Sequence, residues 1–371
     1  MKKIGIITMH KVLNYGSALQ AYALQRKLQE LGCESELIDY IYPKLVKKKV
    51  TLKSILHNII VWCRNAIIGF PTEKKKRKFQ EFYDKNFILS EKVYDEDSIK
   101  ANPPQYDMYL TGSDQVWNPR FAGNDVNFML AFAPDDKPKV SFASSFATDV
   151  IDEDKKALYA KYLSRYNAIS VRESSGVSIV KELTGKDAVV CCDPTLLLTK
   201  EEWGKLAEQS RLDIKYKYIL VYVLSYMYNP YPYINDIIDS AQKTLGLKVI
   251  YLVGRKEDAF RPNSKLIKSA GPADFAYLFK HAEFVITTSF HGTAFSLIND
   301  KPLLGVVDKN SDHDSRIQSL LKAAGAEGSI VDYRDRISQA SAALLSLKGN
   351  QSSIAAIRNE GEDYLKKNCA L

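Results

Sequence analysis

The chain has 371 residues, 46% hydrophobic and 11% aromatic: enough length for two ordinary domains and enough apolar content for a core in each. That composition excludes global disorder. The formal charge of +8 is concentrated, because Lys44 to Lys85 holds twelve Lys/Arg against three Asp/Glu and leaves the rest near neutral; this is not the distributed basic face of a nucleic-acid protein.

In chain order, Met1-Lys2-Lys3 opens like a signal peptide. The apolar run Ile4–Ile7 then ends at Thr8, His10 and Lys11, too soon for an h-region, so a first strand is expected. A helix over Gly16–Leu31, closed by Gly32, and a strand over Glu36–Asp39 complete a βαβ opening. The basic insertion, residues 44–85, has an apolar middle from Ile55 to Phe70, interrupted by His57, Asn58, Arg64 and Asn65. A bilayer span needs ~20 largely apolar residues, so no transmembrane helix is expected. Two readings stay open: a helix in the membrane interface, its basic flanks on anionic headgroups, or an amphipathic helix packed on its own domain.

Further strands are expected at Tyr106–Leu110, Lys139–Ala143, Ala168–Val171 and Ala188–Cys191, with a helix over Ser174–Leu183. Pro194–Lys200 reads as a hinge before a helix near Glu201–Gln209. The second half repeats the alternation, with strands at Tyr218–Tyr222, Lys248–Val253, Phe284–Ile286 and Leu303–Val307. Its helices fall near Tyr233–Thr244, Ala273–His281, Gly292–Asn299 and Ser315–Ala324, and terminal helices near Ser338–Leu347 and Ser353–Lys366 are expected to pack back across the junction. Alternation of this kind gives mostly parallel sheets. The expected fold class is α/β, two Rossmann-like doubly wound domains facing a cleft in the manner of GT-B proteins. The domains are an N-terminal one over 1–196, a C-terminal one over 197–350, and a C-terminal helix over 351–371.

Five cysteines (33, 63, 191, 192 and 369) form no CxxC or CxxH pattern, which fits reduced thiols in the cytoplasm. No HxH, HExxH or DxD arrangement points to a metal. The strand-to-helix turn at Thr288-Ser289-Phe290-His291-Gly292-Thr293 belongs at the carboxyl edge of a parallel sheet, where open α/β folds place ligands. Amide groups at a helix start attract anions, so His291 would stand beside a phosphate or carboxylate held by the Gly292 and Thr293 backbone. In the first β–α turn, Asn14, Tyr15, Gly16 and Ser17 supply capping types and a close backbone approach, without a GxGxxG dinucleotide fingerprint. Asp114, Gln115, Trp117 and Asn118 follow a strand directly and offer a carboxylate, amides and an indole, the groups that bind sugars. Arg172, where another strand passes into a helix, presents a planar fork for a phosphate or carboxylate, or pairs with Glu173 or Asp193. Asp312-His313-Asp314-Ser315-Arg316 is a third polar cluster at the same mouth.

Asn14-Tyr-Gly with Leu19-Gln-Ala-Tyr, Gly112-Ser-Asp-Gln-Val-Trp-Asn, Ser170-Val-Arg-Glu, Cys192-Asp-Pro-Thr and Ser289-Phe-His-Gly-Thr-Ala-Phe-Ser occur in the order and spacing of one family. On these motifs the chain resembles the polysaccharide pyruvyl transferases from its first strand to about Gly325. That resemblance implies transfer of the enolpyruvyl group of phosphoenolpyruvate to a sugar, often as a cyclic ketal, on a GT-B-like fold and without a cofactor. One departure stands out. A well-studied branch reads Asp-Arg-x-His-Gly where this chain has Thr288-Ser289-Phe290-His291-Gly292, so Ser289 replaces the arginine taken to help bind the donor.

The expectation that follows gives His291 the proton transfer and Asp114 the acceptor hydroxyl. Arg172, Ser289, Gly292, Thr293 and Arg316 would hold phosphoenolpyruvate, with Lys301 a further candidate, on a donor side formed by the C-terminal domain. Asn14, Tyr15, Ser17, Gln115, Trp117 and Asn118 would hold the sugar on the N-terminal side. The expected setting is surface or capsular polysaccharide assembly in the cytoplasm, on a lipid-linked acceptor, with peripheral contact to an anionic membrane surface. Two other readings are a GT-B glycosyltransferase using a nucleotide sugar and a non-catalytic glycan-binding protein.

Overall fold

The computed structural model describes residues 2–41, 70–120, 125–225, 228–309, 315–335, 341 and 343–369. The first sheet holds β1 (Lys3–Ile7), β2 (Glu34–Tyr40), β3 (Leu89–Tyr94), β4 (Met108–Thr111) and β5 (Lys139–Ser141), in the order β3-β2-β1-β4-β5. All its ladders are parallel. The short strands β6 (Ser170–Val171) and β7 (Val189–Val190) continue it through bridges from Val140 to Ala168 and from Ser144 to Val171.

The second sheet contains β8 (Tyr218–Tyr222), β9 (Lys248–Leu252), β10 (Ser264–Ile267), β11 (Phe284–Thr287), β12 (Leu303–Val307) and β13 (Ile330–Asp332). Its order is β10-β9-β8-β11-β12-β13, again all parallel. Each sheet therefore runs third-second-first-fourth, with a switch point between its first and fourth strands where loops diverge and leave a crevice.

The described helices are α1 (Tyr15–Glu30), α2 (Pro71–Asn86), α3 (Glu96–Ala101), α4 (Glu153–Leu163), α5 (Ser174–Thr184), α6 (Lys200–Ala207), α7 (Ile234–Leu245), α8 (Pro272–His281), α9 (Phe290–Ile298), α10 (Ser315–Ala323) and α11 (Gln351–Asn368). The Asn14 side chain caps α1 by accepting from the Gly16 and Ser17 amides, and Gly32 closes it at φ +82°. Twelve of its sixteen residues are buried, because α1 has protein on both sides. One apolar cluster joins Ile4, Leu19 and Leu24 of the first domain to Tyr218, Phe275 and Phe295 of the second, so the two domains share a core.

The basic run on α2 belongs to this junction. Lys78 Nζ lies 2.6 Å from Asp274 Oδ2 on α8, and Lys75 Nζ sits 4.4 Å over the Tyr15 ring. Burial lowers the Lys75 pKa. Phe79, Phe82 and Tyr83 are buried on the same helix, while Lys74, Lys76 and Arg77 stay exposed. The apolar middle of the insertion, residues 55–69, lies outside the described residues; no described helix is long and apolar enough to cross a membrane.

Two expectations need correction, and several elements are additions to them. Pro194–Leu197 is a buried 3-10 turn packed against α1 and α11 rather than an open hinge. The helix expected at Ser338–Leu347 is described only as a short 3-10 turn, Leu344–Ser346, with 336–340 and 342 outside the described residues. Helices α3 and α4 and strands β3, β10 and β13 were not anticipated, being short or weakly patterned. The terminal helix does cross back: Tyr364 on α11 packs on Phe142 of the first domain.

Candidate functional site

The switch-point crevices of the two sheets face each other. Their junction is a pocket lined by Asn14, Asp114, Gln115, Arg172, Tyr222, Leu224, Ser289, Phe290, His291 and Arg316. From the first domain come Asn14 after β1, Asp114 and Gln115 after β4, and Arg172 after β6. Tyr222 ends β8, Ser289 to His291 begin α9, and Arg316 begins α10.

The two domains approach closely at Gly16. A Cβ there would stand 2.6 Å from Cγ of His291 and nearer still to Nδ1 and Cε1, so the imidazole rests against the bare backbone of α1. Asp114 is held by its neighbours: Ser17 Oγ donates to its Oδ2, and Oδ1 accepts from the Gln115 amide at 2.9 Å. Its φ is +75°, and Ala143 and Ala147 in the loop that pairs beside it have φ of +49° and +52°. Left-handed non-glycine residues are uncommon and persist where surrounding structure holds them, a frequent property of functional sites.

The charged centre is organised by Asp193, which the sequence offers as an ion-pair partner of Arg172 and within the Cys192-Asp-Pro-Thr motif, with no role in the chemistry expected of it. Its Oδ2 lies 2.8 Å from Arg172 Nη1 and 3.5 Å from His291 Nε2, and its Oδ1 accepts from Thr195 N at 3.0 Å and Thr195 Oγ1 at 2.8 Å. Burial alone would raise the Asp193 pKa; the charges of His291 and Arg172 overcome that and hold it below the usual carboxylate range. Burial opposes the charge on Arg172, while Asp193, Glu173 and Asp114 raise its pKa. The guanidinium also lies 5.0 Å over the Phe290 ring. Three buried polar atoms here, Arg172 Nε, Glu173 Oε2 and His291 Nε2, form no hydrogen bond. Each faces a charged or basic partner instead, Arg172 Nε at 4.0 Å from Glu173 Oε2 and His291 Nε2 at 3.5 Å from Asp193 Oδ2, so they form one ionic network behind the pocket.

The structure thus brings together Asn14, Asp114, Gln115, Arg172, Ser289, His291 and Arg316, and it removes the other expected residues from the pocket. Tyr15 is buried with its ring 4.9 Å from Phe275, and its hydroxyl donates to Ala270 O at 3.1 Å; it is a junction residue. Ser17 is buried and spends its hydroxyl on Asp114. Trp117 is fully buried with Nε1 donating to Phe128 O at 3.0 Å, and Asn118 Nδ2 turns inward to Gln115 Oε1 at 2.9 Å.

The Gly292 and Thr293 amides are also spoken for, by Ser289 Oγ at 3.3 Å and Ser289 O at 2.9 Å. Ser289 is therefore the N-cap of α9, and the open donors at this helix end are the Phe290 and His291 amides. Lys301 does not line the pocket, and residues 312–314 lie outside the described residues. Among the described residues no group of three or more His, Cys, Asp or Glu converges as a metal site. Cys33, Cys191, Cys192 and Cys369 are free thiols.

The sequence model of the polysaccharide pyruvyl transferase family matches residues 14–310. No curated protein sequence matches the chain. Among solved structures, the UDP-GlcNAc 2-epimerase from Methanocaldococcus jannaschii aligns over 98% of this chain and 99% of its own, at 10% identity and a TM-score of 0.57. The UDP-N-acetylglucosamine 2-epimerase from Rickettsia bellii covers 100% and 99%, at 9% identity and 0.53. The S. aureus MnaA–UDP structure covers 99% and 97%, at 14% identity and 0.52. At such identities the likeness shows the fold alone, which is GT-B.

Proposed function

Because the chain belongs to the polysaccharide pyruvyl transferase family, we propose that it moves the enolpyruvyl carbons of phosphoenolpyruvate onto a sugar, closing a cyclic ketal across two hydroxyls. The observation that carries this reading is the convergence of Arg172, Arg316 and His291 with Asp114 in one interdomain pocket. Phosphoenolpyruvate presents a phosphate and a carboxylate on three carbons, and two guanidiniums with the open amides of α9 suit such a dense anion. In this reading Arg172, from the first domain, joins Arg316 and His291 of the second around the donor.

In this mechanism His291 delivers a proton to the donor methylene carbon, and positive charge develops at C2. A sugar hydroxyl held by Asp114 attacks C2 and loses its proton to that carboxylate. The C2–O bond to phosphate breaks, phosphate leaves with the electron pair, and the second hydroxyl adds to C2 and gives its proton to the His291 imidazole, which restores the ring. Fixed cations around the leaving group stabilise the charge that develops on it. Asn14 and Gln115 orient the acceptor. Imidazole suits the proton delivery because it exchanges protons readily near neutral pH.

The proposed acceptor is lipid-linked, in surface or capsular polysaccharide assembly on the cytoplasmic side. Support for membrane contact is the basic charge of Lys44–Lys53 together with the exposed Lys74, Lys76 and Arg77.

Thermal shift with phosphoenolpyruvate against a panel of nucleotide sugars tests the donor, because saturation at about 100 times Kd adds about 2.7 kcal/mol of stability. Phosphoenolpyruvate should raise the Tm. Stabilisation by a nucleotide sugar alone would redirect the reading to a glycosyltransferase. With candidate glycans added, phosphate release should accompany a product heavier by phosphoenolpyruvate less phosphoric acid. His291→Ala should slow that release by roughly 10²–10⁴.

A further inference from the structure

We infer that Asp193 is the positioning residue of this pocket: one carboxylate, on the segment between the two sheets, sets Arg172 and His291 together and balances the guanidinium charge before the donor binds. The inference rests on the reading of the pocket as a phosphoenolpyruvate site.

Asp193 is fully buried and does not line the pocket. It therefore acts through other groups. Its Oδ1 is fixed by the amide and hydroxyl of Thr195, both donated within the 3-10 turn that Asp193 caps. That anchoring aims Oδ2 at two basic side chains from different domains, Arg172 just after β6 at 2.8 Å and His291 of α9 at 3.5 Å. The Ser113 hydroxyl approaches the same oxygen at 3.4 Å. Pro194–Leu197 packs on α1, α9 and α11, so the carboxylate cannot drift without moving the shared core.

Two consequences follow for the chemistry. Nε2 of His291 is buried against Asp193, so a proton on Nε2 is favoured there, and exchange with a ligand falls to Nδ1. The Arg172 fork gives Nη1 to Asp193 and turns Nε toward Glu173 Oε2 at 4.0 Å, which leaves the Nη2 end for an anion in the pocket that Arg172 lines. When the donor arrives, its charge joins that of Asp193 around the same guanidinium. Asp193 thus sets imidazole geometry, which acts on kcat, while competing electrostatically with the donor, which weakens ground-state binding.

Asp193→Asn separates these effects. The asparagine variant should lose about 10²–10⁴ in kcat, the range seen when the orienting partner of a catalytic histidine is removed. Its KM for phosphoenolpyruvate should not rise, and the Tm increase on adding phosphoenolpyruvate should exceed the parent's. A role confined to fold integrity would instead lower the Tm and lose donor binding together. Thr195→Val keeps the charge and removes one anchoring bond; it should lower kcat less, with the donor-induced Tm increase unchanged.

A readout without donor is the His291 tautomer, followed by long-range 1H–15N correlation in histidine-labelled protein. With the ring neutral, the form left after it has given a proton through Nδ1, the parent should hold the Nε2–H tautomer, and both variants should mix the two tautomers. Asp193→Asn with kcat within twofold of the parent, or an unchanged tautomer in the variants, would overturn the inference. So would a folded variant that no longer responds to phosphoenolpyruvate. A parent that ignores phosphoenolpyruvate yet holds the Nε2–H form would count against the donor assignment and leave the positioning role standing.

Discussion

Gly16→Ala tests the interdomain approach on which the pocket depends. The new Cβ would stand 2.6 Å from Cγ of His291, where carbon contacts settle at about 3.5–4.0 Å, so the ring must move by about 1 Å. The backbone cannot open to accommodate it, because Tyr15, stacked on Phe275 and bonded to Ala270 O, and the common apolar cluster hold α1 against the second domain. Overpacking of this kind costs about 1–3 kcal/mol, offset by up to about 1 kcal/mol from the better helix propensity of alanine. A displacement of about 1 Å in a proton-transfer group is expected to reduce kcat roughly 10²-fold.

The assay is a double-mutant cycle read by urea unfolding of the parent, Gly16→Ala, His291→Ala and the double variant. With the imidazole gone the methyl has room, so Gly16→Ala should be neutral or stabilising in that background. The coupling energy should therefore be about 1–3 kcal/mol. Costs that add within about 0.5 kcal/mol would refute the reasoning, since they would show that the alanine never meets the ring.

Arg172→Gln should raise the pH of acid unfolding. In the parent Asp193 is held below its unfolded value, so it stabilises the fold above about pH 4 and gives that up only as pH falls through the lower, folded value. Without the guanidinium the folded value rises, the loss begins at higher pH, and urea unfolding between about pH 3 and 7 would reveal it; an unmoved acid limb would detach Asp193 from Arg172. Trp117→Phe should cost about 1 kcal/mol, because Phe128 O keeps its bond from Thr111 Oγ1, and should leave the acceptor KM within about twofold. A large change in that KM would return the indole to the sugar site.

Strands such as Leu303–Val307 and Tyr218–Tyr222 were legible because fully buried parallel strands read as unbroken apolar runs. The polar turns after them were legible as ligand loops because the fold class puts them at one edge. What failed was direction. Trp117 among polar neighbours reads as a binding aromatic, yet the turn points it into the core while Asp114 and Gln115 face out. Ser17 reads as acceptor contact and is the support for Asp114.

Long-range pairing was equally hidden. Lys78 meets Asp274 across 196 positions, so a run that looks solvated partly ties two domains together. The importance of Asp193 was present as the Cys192-Asp-Pro-Thr motif but carried no chemistry until Arg172 and His291 came within reach of one oxygen. Strand β10, Ser264–Ile267, alternates too weakly over four residues to declare itself.

The core shared by the two domains has a consequence for anyone who would rebuild this protein. Two-domain transferases invite recombination, with one half kept for the donor and another grafted for a new acceptor. Here Tyr15 of one half stacks on Phe275 of the other, Phe295 packs on Trp203 of the linking segment, and α11 returns to lie on Phe142. A cut anywhere between β7 and β8 would expose both sides of that packing and leave each fragment with an unsealed apolar face. Under the roles proposed above, changes aimed at the acceptor belong at Asn14 and Gln115, with the two halves kept together.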